Sequence, residues 1–268
     1  DPLWSRGLGD VYKRQLICII LIQLLMKTLT IIPSRLSATR LPGKPLLKIN
    51  NLSIISHVFR RAQEANIGDV VVAAEDQEIV DDVIKNGGSA ILTGKNHKTG
   101  TDRIYEAFKK LELKDVDLIM NLQGDEPAIN IEDIINLNKK MVSNQSKMGT
   151  LAAKIKDLKD LDNENIVKVV TKENLNKDHF SKANNFLRRS LEVENIYHHI
   201  GIYCYSMETL KKFVELNQSK NEIENRLEQL RALDNNIEIN VALSNSSPIG
   251  VDTEEDYLAL KKIMEYKA

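Results

Sequence analysis

Short apolar runs and stretches of helical period take turns along the first half of the chain. Residues 28–32, 70–74, 90–92 and 116–122 are rich in Val, Ile, Leu, Ala and Met, the pattern of strands buried on both faces. Between them, residues 54–65, 78–85, 103–111 and 131–141 repeat their apolar positions with helical spacing. This alternation predicts an α/β fold with a mostly parallel central sheet and helices on both faces, whose ligands sit at the carboxyl ends of the strands. Beyond Gly149 the pattern loosens. It predicts strands at 150–155, 166–171 and 199–205, a polar stretch at 174–195, helices near 207–216 and 222–233, a strand at 237–243 and a last helix at 253–266. No linker or repeat interrupts it, so residues 26–268 read as one domain.

Composition narrows the class. The 268 residues are 42% hydrophobic and 28% charged, which excludes a disordered, collagen-like or coiled-coil chain. Lys and Arg number 37 against 38 Asp and Glu, a net charge of −1, so coating nucleic acid or an anionic membrane is not its main task. Cys18 and Cys204 are too few for a disulfide framework or a Cys-rich zinc site and point to a reducing cytoplasm. His57, His97, His179, His198 and His199 lack the spacing of zinc ligands. Residues 16–25 form an apolar run behind Lys13 and Arg14, about half of the ~20 residues that span a bilayer, with no cleavage site after it. Met26 directly precedes the first strand. Residues 1–25 therefore read as a non-native or disordered N-terminal extension, with no stable membrane association.

Charge is unevenly placed. No acidic residue falls between Asp10 and Glu64, whereas residues 115–138 hold six acids and no Lys or Arg, namely Asp115, Asp117, Asp125, Glu126, Glu132 and Asp133. One region suits an anion and the other a cation. After the first strand, residues 33–45 lack both the Walker A and the G-x-G-x-x-G spacing. They nevertheless gather Arg35, Arg40 and Lys44, the hydroxyls of Ser34, Ser37 and Thr39, and a permissive Gly43, a set able to donate to phosphate oxygens. After the fourth strand, Asp125 follows Gly124 and suits Mg²⁺, which prefers one or two carboxylates plus phosphate oxygens and water. A helix N-cap fits that spacing equally well. Late in the chain, Thr253 and Asp256 approximate a capping box, which leaves Asp252 as a turn acid unless the fold brings it opposite Asp125. Cys204, in a buried strand, reads as a small hydrophobe.

Taken in order, IIPSRLSATRLPGKPL, HKTGTDR, NLQGDEP, NIVKVV, HHIGIY, LEQLRALD and GVDTEED carry a resemblance from about Lys27 to Lys267. The chain resembles the 3-deoxy-manno-octulosonate cytidylyltransferase (CMP-Kdo synthetase) family of Gram-negative bacteria. The resemblance implies a Rossmann-like nucleotidyltransferase fold, a homodimer, and a Mg²⁺-dependent reaction. In it CTP and 3-deoxy-manno-octulosonate (Kdo) give CMP-Kdo and diphosphate for lipopolysaccharide biosynthesis. It further implies triphosphate contacts at Arg35 and Lys44, a nucleotide pocket with Ser34, Thr99, Gly100, Thr101, Arg103 and Gln123, and metal ligands at Asp125 and Asp252. Arg35, Lys44 and Asp125 become the catalytic set, and Lys182, His199, Tyr203, Glu228 and Gln229 the sugar contacts.

Two departures stand out. Lys182 takes the place of a family Arg, offering a point charge instead of a forked donor. Glu75-Asp76 stands where the family commonly has Thr-Asp. These leave the reaction class intact and open the identity of the sugar, with a sialic-acid-like or amino-Kdo cytidylyltransferase as the neighbouring reading. A nucleotide-binding protein without turnover is a third, disfavoured because Asp125, Asp252, Arg35 and Lys44 are all present.

Overall fold

A computed structural model describes residues 26–37, 40–191, 194–247 and 249–266. The expected extension at 1–25, and Thr39 of the first loop, lie outside the described residues. Four parallel strands form one half of the sheet: β1 (Thr28–Ser34) pairs with β4 (Gly68–Ala74) on one side and β6 (Leu118–Asn121) on the other, and β5 (Ala90–Leu92) extends from β4. Between β1 and β4, β2 (Lys48–Ile49) and β3 (Leu52–Ser53) make a tight hairpin. Its corner residues, Asn50 and Asn51, both take positive φ (49° and 63°), which Asn tolerates and a two-residue hairpin requires.

Helices cover both faces of this half. Helices α1 (Ile54–Glu64), α2 (Gln77–Lys85) and α4 (Ile131–Asn144) bury Ile55, Val58, Phe59, Ile79, Val83, Ile134, Leu137 and Met141 against Ile32, Val72 and Met120. On the other face, α3 (Gly100–Leu111) and α5 (Met207–Glu215) bury Ile104, Ala107, Leu210 and Phe213 against Leu29, Ile31 and Ile119. Alternating strand residues thus feed two cores, as the period of two demands.

The second half corrects the expectation of a mostly parallel sheet. Strand β10 (Ile196–Ser206) runs antiparallel to β6, β7 (Met148–Ala153) and β8 (Lys168–Thr171). Strand β11 (Asn240–Leu243) is parallel to β7 and antiparallel to β9 (Phe180–Leu187), which pairs antiparallel with β8. Because β10 touches both β7 and β8, the five strands β10-β7-β11-β9-β8 close into a small barrel attached to the parallel half. The nine-stranded sheet is mixed. Strand β9 lies inside the stretch expected to be merely polar. The single helix expected at 222–233 is two, α6 (Lys220–Asn225) and α7 (Leu230–Asp234), parted at Arg226 by a left-handed φ of 53°. The last helix, α8 (Glu254–Tyr266), sets Tyr257 and Leu260 beside Ile49, Ile54 and Val251 in a third, smaller core. Among the described residues no helix is long and apolar enough to cross a membrane.

Candidate active site

Two open clefts, of about 340 and 410 Å³, meet at the carboxyl ends of β1 and β6 and share Gln123, Asp125 and Asp252. The first is cationic. Its floor is the loop after β1, where Gly43 turns at φ 71° so that Lys44 points back toward β6. Ser34, Arg35, Arg40 and Lys44 line it, faced by His97, Lys98, Thr99 and Gly100 at the start of α3. The Ser34 hydroxyl is buried without a hydrogen-bond partner among the described residues, an orphaned donor at a cationic surface. The loop is braced from the turn after β4: Leu36 N donates to Asp76 Oδ2 (2.8 Å) and Ser37 Oγ to Glu75 Oε1 (3.0 Å).

The wall between the clefts is acidic. Gly124 lets the β6 loop pass the β1 backbone, since a Cβ there would stand 2.9 Å from Pro33 O. Beyond it, Asp125 Oδ2 lies 2.7 Å and Asp252 Oδ1 3.3 Å from Lys44 Nζ, and Arg40 reaches Asp252 Oδ2 at 3.0 Å. The backbone joins the two acids as well, Val251 N donating to Asp125 O at 2.9 Å. Asp125 is no helix cap. Asn130 caps α4, accepting from Glu132 N at 2.9 Å, and Thr253 with Asp256 forms the box at α8. Burial, with Asp125 and Asp252 adding, pushes the neighbouring Glu126 carboxyl up to about 8, and its Oε2 has no partner among the described residues. The two carboxylates converge on the Lys44 ammonium, and as a pair of hard oxygen donors they suit a divalent ion taking its place. Substrate oxygens and water would complete its shell.

The second cleft opens on the barrel side. Strand β10 bulges between Ile200 and Tyr203, a device that re-aims side chains. His199 Nε2 then lies 3.0 Å from Tyr203 Oη and 3.1 Å from Thr150 Oγ1, and Gln123 Nε2 donates to Gly201 O at 2.8 Å. Burial holds His199 neutral, pushing it down to about 3 with a contribution from His198, and keeps Tyr203 protonated far above its usual range. Glu228, half-buried and raised in pKa by desolvation, closes the cleft with Gln229.

Most of the expected residues therefore converge, but not all. Lys182 is a correction: it lines neither cleft, because the alternation of β9 turns Ser181 and Ala183 inward and leaves Lys182 exposed, paired with Glu238. Thr101 is another. Its side chain is buried beneath the site, beside Tyr205 and Glu228, and reaches neither cleft. Arg103 lines the first cleft with its guanidinium already engaged by Glu75, Thr93 Oγ1 (2.7 Å) and Gly94 O (3.1 Å). Thr99 does the work of an N-cap, with its hydroxyl accepting from Asp102 N at 3.2 Å. Sequence reasoning missed Arg188, His198 and Arg226 in the second cleft. Adjacent His198 and His199 were the one signal available, while the two arginines sit in no motif.

Residues 29–239 match the family profile for cytidylyltransferases. The 3-deoxy-manno-octulosonate cytidylyltransferase of Thermodesulfovibrio yellowstonii is 41% identical over 251 residues, covering 89% of this chain and 98% of the relative. That of Nitrobacter winogradskyi is 39% identical over 247 residues, covering 90% and 96%. A solved CMP:2-keto-3-deoxy-manno-octonic acid synthetase complexed with CTP superposes with a TM-score of 0.83 at 32% identity, over 90% of this chain and 100% of that one. The fold reaches further. A 4-diphosphocytidyl-2C-methyl-D-erythritol synthase from Anaerococcus prevotii shares it at 12% identity and a TM-score of 0.59, over 90% of this chain and 99% of that one. Full-length similarity at this level, on a chain whose clefts meet at two aspartates, places the protein in the cytidylyltransferase family, among the 3-deoxy-manno-octulosonate cytidylyltransferases.

Proposed function

We propose that the enzyme transfers the cytidylyl group of CTP to the anomeric hydroxyl of Kdo, with the nucleotide in the first cleft and the sugar in the second. The observation that carries this division is the shared wall: Asp125 and Asp252 border both clefts, so the α-phosphate and the sugar hydroxyl meet there. The hydroxyl oxygen attacks the α-phosphorus as its proton passes to solvent, the bond to the bridging oxygen breaks, and diphosphate leaves with no covalent enzyme intermediate. Arg35 and Lys44 face the triphosphate and neutralise the leaving diphosphate. Ser34, Thr99, Gly100 and Gln123 complete the nucleotide side, with Arg103 behind them holding the cleft wall to Glu75. Neutral His199 and protonated Tyr203, with Glu228 and Gln229, orient the sugar by hydrogen bonds. Mg²⁺ held by Asp125 and Asp252 would neutralise charge at the α-phosphate and lower the pKa of the attacking hydroxyl.

A homodimer in the cytoplasm belongs to the same proposal and is checked by light scattering and fractionation. The activity is tested by diphosphate release from CTP and Mg²⁺ with Kdo, N-acetylneuraminate or 8-amino-Kdo as acceptor. Kdo is expected to give the highest kcat/KM, and turnover confined to another acceptor would sink the reading.

A further inference from the structure

The second cleft must admit an acid past an acidic wall. Asp125, Glu126, Asp252 and Glu228 border it. A 2-keto sugar acid carries its carboxylate on the anomeric carbon, the same carbon that bears the reacting hydroxyl. Lys44 and Arg40 are taken up by Asp125 and Asp252, and desolvation favours the neutral forms of Glu126 and Glu228. The wall thus offers the carboxylate no spare positive charge, and a further cation is needed to meet it.

The cations at the shared wall are already engaged, Lys44 with Asp125 and Asp252 and Arg40 with Asp252. Lys182, the expected carboxylate partner, is outside the cleft and paired with Glu238. Besides His199, which burial keeps neutral, three basic side chains line the second cleft itself: Arg188, His198 and Arg226. Burial lowers the pKa of His198 and favours its neutral form. Arg188 donates from Nε to Asn225 O (2.8 Å), from Nη1 to Glu164 O (2.9 Å) and from Nη2 to Arg226 O (3.0 Å). Arg226 differs from both. Among the described residues no hydrogen bond or ion pair engages its guanidinium, and its side chain is exposed to the cleft. Its backbone is the left-handed C-cap of α6, directly before Leu227, Glu228 and Gln229. Arg188 fixes that corner through the carbonyls of Asn225 and Arg226.

Building on the function proposed above, we infer that Arg226 determines specificity for an acidic sugar by pairing with the substrate carboxylate. A planar fork suits that partner better than an ammonium.

The test compares wild type with Arg226→Gln, Arg226→Lys and Lys182→Gln. Each Arg226 variant keeps a non-glycine residue at the strained φ, so backbone strain is held constant. Steady-state diphosphate release is measured with Kdo varied at saturating CTP and the reverse. Calorimetry then compares binding of Kdo with binding of its C1 carboxamide. Arg226→Gln is expected to raise the Kdo KM by ~10–100-fold, the scale of one lost charge-assisted pair, while the CTP KM stays within about twofold. It also abolishes the preference for the acid over the amide. Arg226→Lys recovers part of both, and Lys182→Gln changes neither. Wild-type turnover of Kdo together with an unmoved Kdo KM and an intact acid preference in Arg226→Gln overturns the assignment alone. Failure of wild type to turn over Kdo overturns the function on which it rests.

Discussion

Lys44 places one ammonium between two carboxylates, 2.7 Å from Asp125 and 3.3 Å from Asp252, so neither acid faces the other uncompensated. In the proposed reaction those acids hold the metal. Asp125→Asn keeps size and hydrogen bonding while removing the charge, and kcat is expected to fall by ~10²–10³ with folding intact. Asp252→Asn should act alike, and the double variant should be much less than additively worse if both serve one centre. Diphosphate release against Mg²⁺ concentration reads this, and near-wild-type turnover in Asp125→Asn removes it from the metal site. His199 makes a different prediction. Its pKa falls from 6.5 to about 3 on folding, so between those values the unfolded chain binds a proton that the folded one refuses. Stability is then complete above pH 6.5 and declines as pH falls toward 3, by up to about 1.4 kcal/mol per pH unit from this group. Denaturant melts of wild type and His199→Gln across pH 3.5–7 should show the shallower slope in the variant; identical slopes would place the acid sensitivity elsewhere.

At the level of elements, the turn after β4 supports the loop after β1. Glu75 is buried against Arg103 and accepts from Ser37, while Asp76 accepts from Leu36 N. Glu75→Ala strands the Arg103 guanidinium in the interior and is expected to cost about 3–5 kcal/mol, since a broken buried pair leaves an uncompensated charge. The CTP KM should rise with it as the loop loosens. Unchanged denaturant midpoint and KM would show the pair to be dispensable. This brace was invisible in the sequence, where Glu75 looked like a departure at the substrate side. Elements with an unbroken period were legible: β5 is found at the predicted residues, and α1 and α5 within one residue. Strand β9 was not, because its inward Ala183 and Phe186 are separated by exposed Asn184 and Asn185, where its register against β8 slips. That bulge erases the period of two on which strand reading depends. The same division holds for the candidate site. Loops that follow β1 and β6 directly were readable as motifs, whereas Arg188 and Arg226 reach the second cleft only because the barrel closes.

For the molecule as a whole, the two large cores close on opposite faces of β1, whose own residues begin at Thr28. A chain starting at Met26 is therefore expected to unfold within about 0.5 kcal/mol of the full chain and to keep its activity. Insolubility or inactivity of that shorter chain would give residues 1–25 a part in the fold. The parallel half carries the first cleft, and the barrel carries most of the second. Between them stands a wall of which one acid comes from mid-chain and the other from the segment leading into α8. That segment is tied down by Val251 N on Asp125 O and by Tyr257 Oη on Lys48 O at 2.7 Å. The order of synthesis gives this tie a meaning of its own. A nascent chain can complete β1, β4, β5 and β6, together with the cationic loop, long before Asp252 emerges from the ribosome. A protein cut short ahead of Val251 would keep the strands of the sheet and lack Asp252, α8 and part of the third core, so under the proposed reaction it would miss one of the two acids shared by the clefts. Turnover in that reading waits on a segment synthesised after every strand of the sheet.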